Sequence, residues 1–187
     1  MNILVGCEFT GIVRDEFRKK GHNAYSCDII ESESDNKFHI KKDVRDLNVS
    51  HYDLGIFFPP CTYLCSSGAR WFKDRQKEQK KALKFIKYLM DLTIPKIAIE
   101  NPIGVISTKI RKPDQIIQPY QYGHEETKAT CLWLKNLPKL KPTKIMNKRE
   151  QKIHLMPPGL NRSKNRSRTY PGIAQAMVNQ WGVIGKV

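Results

Sequence analysis

Short apolar runs alternate with amphipathic stretches along most of this chain. Asn2-Ile3-Leu4-Val5-Gly6-Cys7 reads as a buried strand. Thr10-Gly11 opens a helix that runs through Val13, Phe17 and Lys20 and is closed by Gly21. Ala24-Tyr25-Ser26-Cys27 is a second strand, ending at Asp28, and Asp43 to Leu47 is a loop or short turn. Tyr52 to Phe58 is a third strand. From roughly Arg75 to Asp91, Ala82, Phe85, Ile86 and Leu89 fall on one helical face and lysines on the other. Ile97-Ala98-Ile99 and Thr130-Cys131-Leu132-Trp133-Leu134 are further strands, and Ile173, Ala176, Met177 and Trp181 mark a last helix from about Gly172.

This alternation predicts an α/β fold, a doubly wound and mainly parallel sheet. Residues 1–138 form the core. Residues 139–168 change character: ten are Lys or Arg, Glu150 is the one acid, and Pro142, Pro157, Pro158 and Gly159 interrupt the segment. It reads as an irregular basic arm, ordered in part only with a partner. Residues 169–187 carry the last helix back to the core. No internal repeat is present.

Charge narrows the partners. Among 187 residues, 33 Lys and Arg against 18 Asp and Glu give a formal charge of +15, which favours a polyanion, most plausibly nucleic acid. An anionic membrane is disfavoured, because there is neither a long apolar span nor a signal peptide. Cys7, Cys27, Cys61, Cys65 and Cys131 are odd in number and scattered, as expected of free thiols in a reducing compartment such as cytoplasm. Cys61 and Cys65 have a spacing that could begin a zinc site, but no second Cys/His pair follows, so no metal is expected.

Two of the apolar runs deliver reactive side chains. The third strand leads into Pro59-Pro60-Cys61-Thr62, and Ile97 to Ile99 leads into Glu100-Asn101-Pro102. Both follow probable parallel strands, at the edge where α/β sheets bind ligands. A thiol beside a carboxylate suits covalent attack on a pyrimidine. The thiolate adds to ring carbon 6, and a protonated carboxyl hydrogen-bonds the ring edge, leaving carbon 5 nucleophilic enough to accept a methyl group. Such a thiol needs activation, and the nearby Arg70, Lys73 and Arg75 are candidates to supply positive potential. Cys65, one helical turn further on, is expected to point elsewhere.

Pro60-Cys61 and Glu100-Asn101, in that order and spacing, resemble the two catalytic motifs of the DNA cytosine-5 methyltransferases, and the chain looks most like a short, phage-type form of that family. The resemblance implies a Rossmann-like sheet of the S-adenosylmethionine-dependent type, with Cys61 as nucleophile and Glu100 holding the base edge. It also implies cytoplasmic residence, in a bacterial host if phage-encoded. On the cofactor side it implies that S-adenosylmethionine meets Phe9, Thr10 and Gly11 in the first turn, Asp28 at the ribose, Asp43 at the adenine amino group, and Pro59. Only Gly11 remains of the family's glycine-rich turn. Tyr122-Gly123 through Leu134 resembles the family's later arginine-bearing strand, with Lys128 in place of the first arginine and Thr130 in place of the second. Thr169-Tyr170-Pro171 and the following helix resemble the segment that closes the cofactor site.

The family's large target-recognition domain is nearly absent, and only the basic arm stands in its place. There Arg162, Lys164, Arg166 and Arg168 are expected to contact phosphate, with Asn101 and Lys128 nearer the base. A partner protein or second copy supplying target recognition stays open. So do two other functions on this fold. An amino-group methyltransferase would need Asn or Asp before the Pro-Pro turn, where this chain has Phe58. A non-catalytic nucleic-acid binder is suggested by the thinned glycine turn and opposed by the retained Cys61 and Glu100.

Overall fold

Residues 1–183 are described by the computed structural model; residues 184–187, the end of the expected C-terminal segment, lie outside the described residues. Seven strands are β1 (Asn2–Gly6), β2 (Asn23–Asp28), β3 (His39–Lys41), β4 (Leu54–Phe57), β5 (Lys96–Pro102), β6 (Gln115–Ile117) and β7 (Thr130–Lys135). Six helices are α1 (Ile12–Lys19), α2 (Gln76–Met90), α3 (Ile106–Lys109), α4 (Lys152–Leu155), α5 (Arg162–Ser167) and α6 (Pro171–Trp181). The strands form one sheet in the order β3-β2-β1-β4-β5-β7-β6.

The first five strands are parallel, and β7 runs antiparallel to both β5 and β6. β4 is buried along its whole length, as is β1 from Ile3 onward, which explains their unbroken apolar runs: a parallel strand covered on both faces has no polar side. Strand order reverses between β1 and β4, so the crevice beyond their carboxyl ends is the topological switch point of the sheet.

Each face of the sheet carries its own core. On one, Val13 and Phe17 of α1 meet Ile173, Met177 and Trp181 of α6 over Ile3, Val5 and Ile56. On the other, Ile86 and Leu89 of α2 pack over Leu4, Phe57, Ile97 and Trp133. The buried indole N–H of Trp181 donates to the Pro138 carbonyl at 2.9 Å, and that of Trp133 to the Arg111 carbonyl at 2.9 Å, so neither large ring leaves a polar atom unsatisfied.

Several elements differ from the reading of the sequence. The strand before Cys61 is Leu54–Phe57, shorter than Tyr52 to Phe58, because Asp53 instead accepts the Asn2 N–H through its carboxylate at 2.7 Å. β3 and β6 have three residues each, too few to show a period. The basic segment contains α4 and α5 and joins the core through backbone bridges Tyr122–Lys144 and Glu126–Glu150. No helix among the described residues is long and apolar enough to cross a membrane.

Candidate active site

β4 and β5 end side by side, with Phe57 level with Ile99. Beyond Phe57 the chain makes the Pro59-Pro60 turn and presents Cys61, half-buried. The side chain of Asn101 crosses from β5 and donates to the Pro59 carbonyl at 2.8 Å. Asn101 is 1% exposed, so it pins the Pro-Pro turn to β5 from inside. Its Oδ1 is buried without a hydrogen-bond partner among the described residues.

Cys65 does not point away from Cys61. The N–H groups of Leu64 and Cys65 donate to the Cys61 carbonyl at 2.9 and 3.0 Å, and this single turn sets the two thiols near enough for each to shift the other's acidity. Cys65 Sγ also lies 3.1 Å from Ser67 Oγ and meets the Gly68 N–H. Those contacts favour a thiolate on Cys65 and pull it below the usual thiol range, first through the Cys61 thiol and then, against burial, through Ser67 and Gly68. Cys61 is pushed the other way by its interaction with Cys65, by burial, and by the charges of Cys65 and Glu100. The pair therefore gives up one proton readily and holds the second. Gly104 makes the arrangement possible, since a Cβ there would lie 1.9 Å from the Leu64 carbonyl oxygen.

The cation that favours ionised Cys61 is Lys128, not the expected Arg70, Lys73 or Arg75. Arg70 lies over Trp71 and Arg75 over Tyr63. Lys128 also acts on Glu100. Burial raises the Glu100 carboxyl above the ordinary range, opposed by Lys128 and by a hydrogen bond from Thr130. A narrow cleft with Phe58, Glu100, Lys128, Thr130, Thr169 and Tyr170 in its walls opens here. A larger groove, lined by Met90, Arg111 and Trp133, gathers no comparable chemistry.

The turn after β1 holds the second half of the site. Cys7 adopts a left-handed φ of 57°, and its thiol is raised by burial and by Asp28, Cys27 and Asp43, so both acids converge on this turn. Asp28 is raised by burial and accepts the Ile30 N–H at 3.2 Å. Ile29 and Ile30 beside it are exposed. Asp43 is tied to the Arg45 guanidinium at two points, which lowers its pKa. Glu8 is 4% exposed and turns back onto α1, accepting the N–H groups of Val13 at 2.7 Å and Arg14 at 3.3 Å. The N-terminus of α1 is thus already occupied by a carboxylate of this chain.

The arm passes over both halves. Lys164 and Arg168 each reach Glu33 at 2.6 Å, and Lys164 lies 5.2 Å from the Phe9 ring centre. Lys128 donates to the Arg166 carbonyl at 2.9 Å, and Arg162 donates to the Met156 carbonyl at 2.8 Å. The sheet thus brings Cys61, Glu100 and Lys128 together at one end, and Phe9, Asp28 and Asp43 at the adjoining one. Cys65, Glu8 and Glu33 were missed. The four-residue spacing of Cys61 and Cys65 was a signal for the first, and an acid just before a helix was a signal for the second. Nothing local marks Glu33.

No protein-family model matches the chain, and no curated protein matches it by sequence. Solved structures do. The Entamoeba histolytica methyltransferase EhMeth aligns at a TM-score of 0.51 and 15% identity, over 86% of this chain and 61% of that one. An E. coli prophage protein described as a DNA modification methyltransferase aligns at 0.47 and 14%, over 78% and 52%. The fold is Rossmann-like, of the methyltransferase type. The chain spans between about half and three-fifths of the length of these two proteins.

Proposed function

We propose that this protein transfers a methyl group to carbon 5 of cytosine in DNA, through a covalent adduct on Cys61. The observation that carries the reading is the meeting of a thiol pair, a carboxyl with raised pKa and one lysine at the switch-point edge of a methyltransferase-type sheet. EhMeth is described as a methyltransferase, and its likeness in fold supports methyl transfer as the reaction class.

The residues of the first turn suit the nucleoside half of S-adenosylmethionine. Asp28 is an acid with few partners, suited to two ribose hydroxyls, and exposed Ile29 and Ile30 beside it suit an adenine face. Phe9, Thr10, Gly11 and Pro59 follow β1 and β4 at the same sheet end and are assigned to the cofactor's side, with Asp43 held by Arg45. S-adenosylmethionine, when bound, supplies an electrophilic methyl group.

The Cys61 thiolate forms a bond to carbon 6 of the base, and the electron pair of the ring double bond shifts toward carbon 5. Cys65, the readier thiolate of the pair, is the nearest base for the Cys61 proton; the transfer is uphill and has to be driven by bond formation at carbon 6. Protonated Glu100 donates to the ring edge and stabilises charge developing there, while Lys128 keeps the cleft electropositive. Once carbon 5 carries the methyl group, its proton is lost to solvent, the ring double bond re-forms and the Cys61 thiolate leaves carbon 6. Arg162, Lys164, Arg166 and Arg168 serve the phosphates, and Asn101 holds the turn.

The test is an oligonucleotide carrying 5-fluorocytosine, whose fluorine blocks the final elimination. With cofactor present, wild type and Cys65→Ser are expected to give a denaturation-resistant adduct, slower in the variant, while Cys61→Ser gives none. An adduct that persists in Cys61→Ser refutes the assignment of the nucleophile. Absence of adduct from every protein, on single- and double-stranded DNA, leaves the non-catalytic binder in its place.

A further inference from the structure

The positive charge of this molecule is unevenly satisfied. Lys164 and Arg168 of the arm are engaged by Glu33, and Lys148 and Lys152 are engaged by Glu125, Glu126 and Glu150. On α2 the situation is the reverse. Lys77, Lys80, Lys81, Lys84 and Lys87 are all exposed, and none makes an ion pair or hydrogen bond among the described residues. At 100° per residue they fall within an arc of about 120°, opposite buried Ile86 and Leu89, and they span about 15 Å of helix. Solvated helix faces commonly pair Glu with Lys three or four residues apart. Within the ridge those spacings pair lysine with lysine, which is unfavourable in the isolated molecule and relieved by a polyanion. Asp74, Glu78 and Asp91 stand three or four residues from Lys77, Lys81 and Lys87 but form no ion pair with them among the described residues.

The ridge is continuous with the active edge. The chain leads from Cys61 through exposed Arg70, Lys73 and Arg75 into α2, and Gln79 ties the helix back to the Tyr63 carbonyl at 3.1 Å. We infer that the outer face of α2 is a phosphate-contact surface, receiving the nucleic-acid backbone that flanks the target base. This rests on the reading of the site as one that acts on nucleic acid. Over 15 Å a duplex strand presents roughly four phosphates, enough to engage at least three lysines. Because the apolar face of α2 is buried in the core, the helix has no surface to insert into a lipid bilayer, and nucleic acid is the favoured polyanion.

The experiment measures binding of a cytosine-containing oligonucleotide, single- and double-stranded, by fluorescence anisotropy across a salt series. It compares wild type, Lys77→Gln/Lys81→Gln/Lys84→Gln, the arm variant Lys164→Gln/Arg168→Gln, and a charge-matched control outside both, Lys19→Gln/Lys20→Gln/Lys135→Gln, at the ends of α1 and β7 away from the active edge. Glutamine keeps helix propensity, so circular dichroism is expected to match wild type. The α2 variant is expected to flatten the salt slope by about two to three units, and the control to leave it within half a unit. Equal flattening in both overturns the inference in favour of a general charge effect. A wild-type slope in the α2 variant, with loss only in the arm variant, overturns it while nucleic-acid binding stands. Failure of wild type to bind any oligonucleotide removes the reading of the site and this surface together. Binding to phosphatidylserine vesicles that depends on the α2 lysines, without an effect on oligonucleotide, assigns the ridge to membrane and also overturns the inference.

Discussion

Cys61 and Cys65 divide one acidity between two sulfurs. Their mutual interaction, with Ser67 and the Gly68 N–H on the Cys65 side, lets the first proton leave below the usual thiol range and holds the second. Wild type is therefore expected to show one thiol that alkylates with iodoacetamide in mildly acidic solution. Cys65→Ser and Cys61→Ser should each lose that low-pH phase, read by mass spectrometry of the labelled peptide. Glu8 offers a second titration. Burial raises its folded-state pKa from 4.5 to about 7, despite the N–H groups of Val13 and Arg14. Between those values the folded state keeps a proton that the unfolded chain releases, so stability falls as pH rises through this window. Glu8→Gln keeps an acceptor for α1 and has no proton to lose. It should match wild type near pH 4 and be the more stable protein at pH 8, by at most about 3 kcal/mol, measured by urea unfolding at both pH values. Cys61 and Glu100 were legible because each ends an apolar run. The partnership of Cys65 was not, since the direction of a side chain after a Pro-Pro turn depends on backbone angles and on the close approach that Gly104 permits.

At the scale of elements, α5 has no buried residue and is held by polar contacts. Glu33 makes two of them, to Lys164 and Arg168, and exposed pairs of this kind are individually weak. Glu33→Gln is expected to speed tryptic cleavage after Lys164, Arg166 and Arg168 by roughly twofold to tenfold, with cleavage elsewhere unchanged. The variant Glu31→Gln removes the same charge from a pair with Lys41, away from the arm, and should leave the rate as it is. The long elements were plain from periodicity: α1, α2 and α6 each lie within a residue or two of their apolar stripe. The three-residue strands β3 and β6 were not, because backbone pairing with a neighbour makes them strands and their own side chains do not. Glu33 belongs to the same class of feature, since its importance comes from a segment more than a hundred residues away.

Across the whole molecule, α6 is the last piece of the core, and Trp181 closes it against α1 and the sheet. Trp181→Ala should cost about 3–5 kcal/mol, seen as a lower urea midpoint with an unchanged slope. The mainly parallel sheet followed from alternating strands and helices; the reversed direction of β7 did not, because an apolar run carries no sign of which way it points. That reversal fixes the itinerary of the chain. β7 starts beside Pro102 at the active edge and ends beside Ile97 at the far one, about 17 Å away. Everything after Lys135 must climb back, and it passes the cleft before α6 begins. Gly159 has nothing within 4 Å of a built Cβ, and Leu160 stands fully in solvent at the crest of that climb. A protein engineer could splice an independently folded module there, between the sheet and α6, with neither core face disturbed.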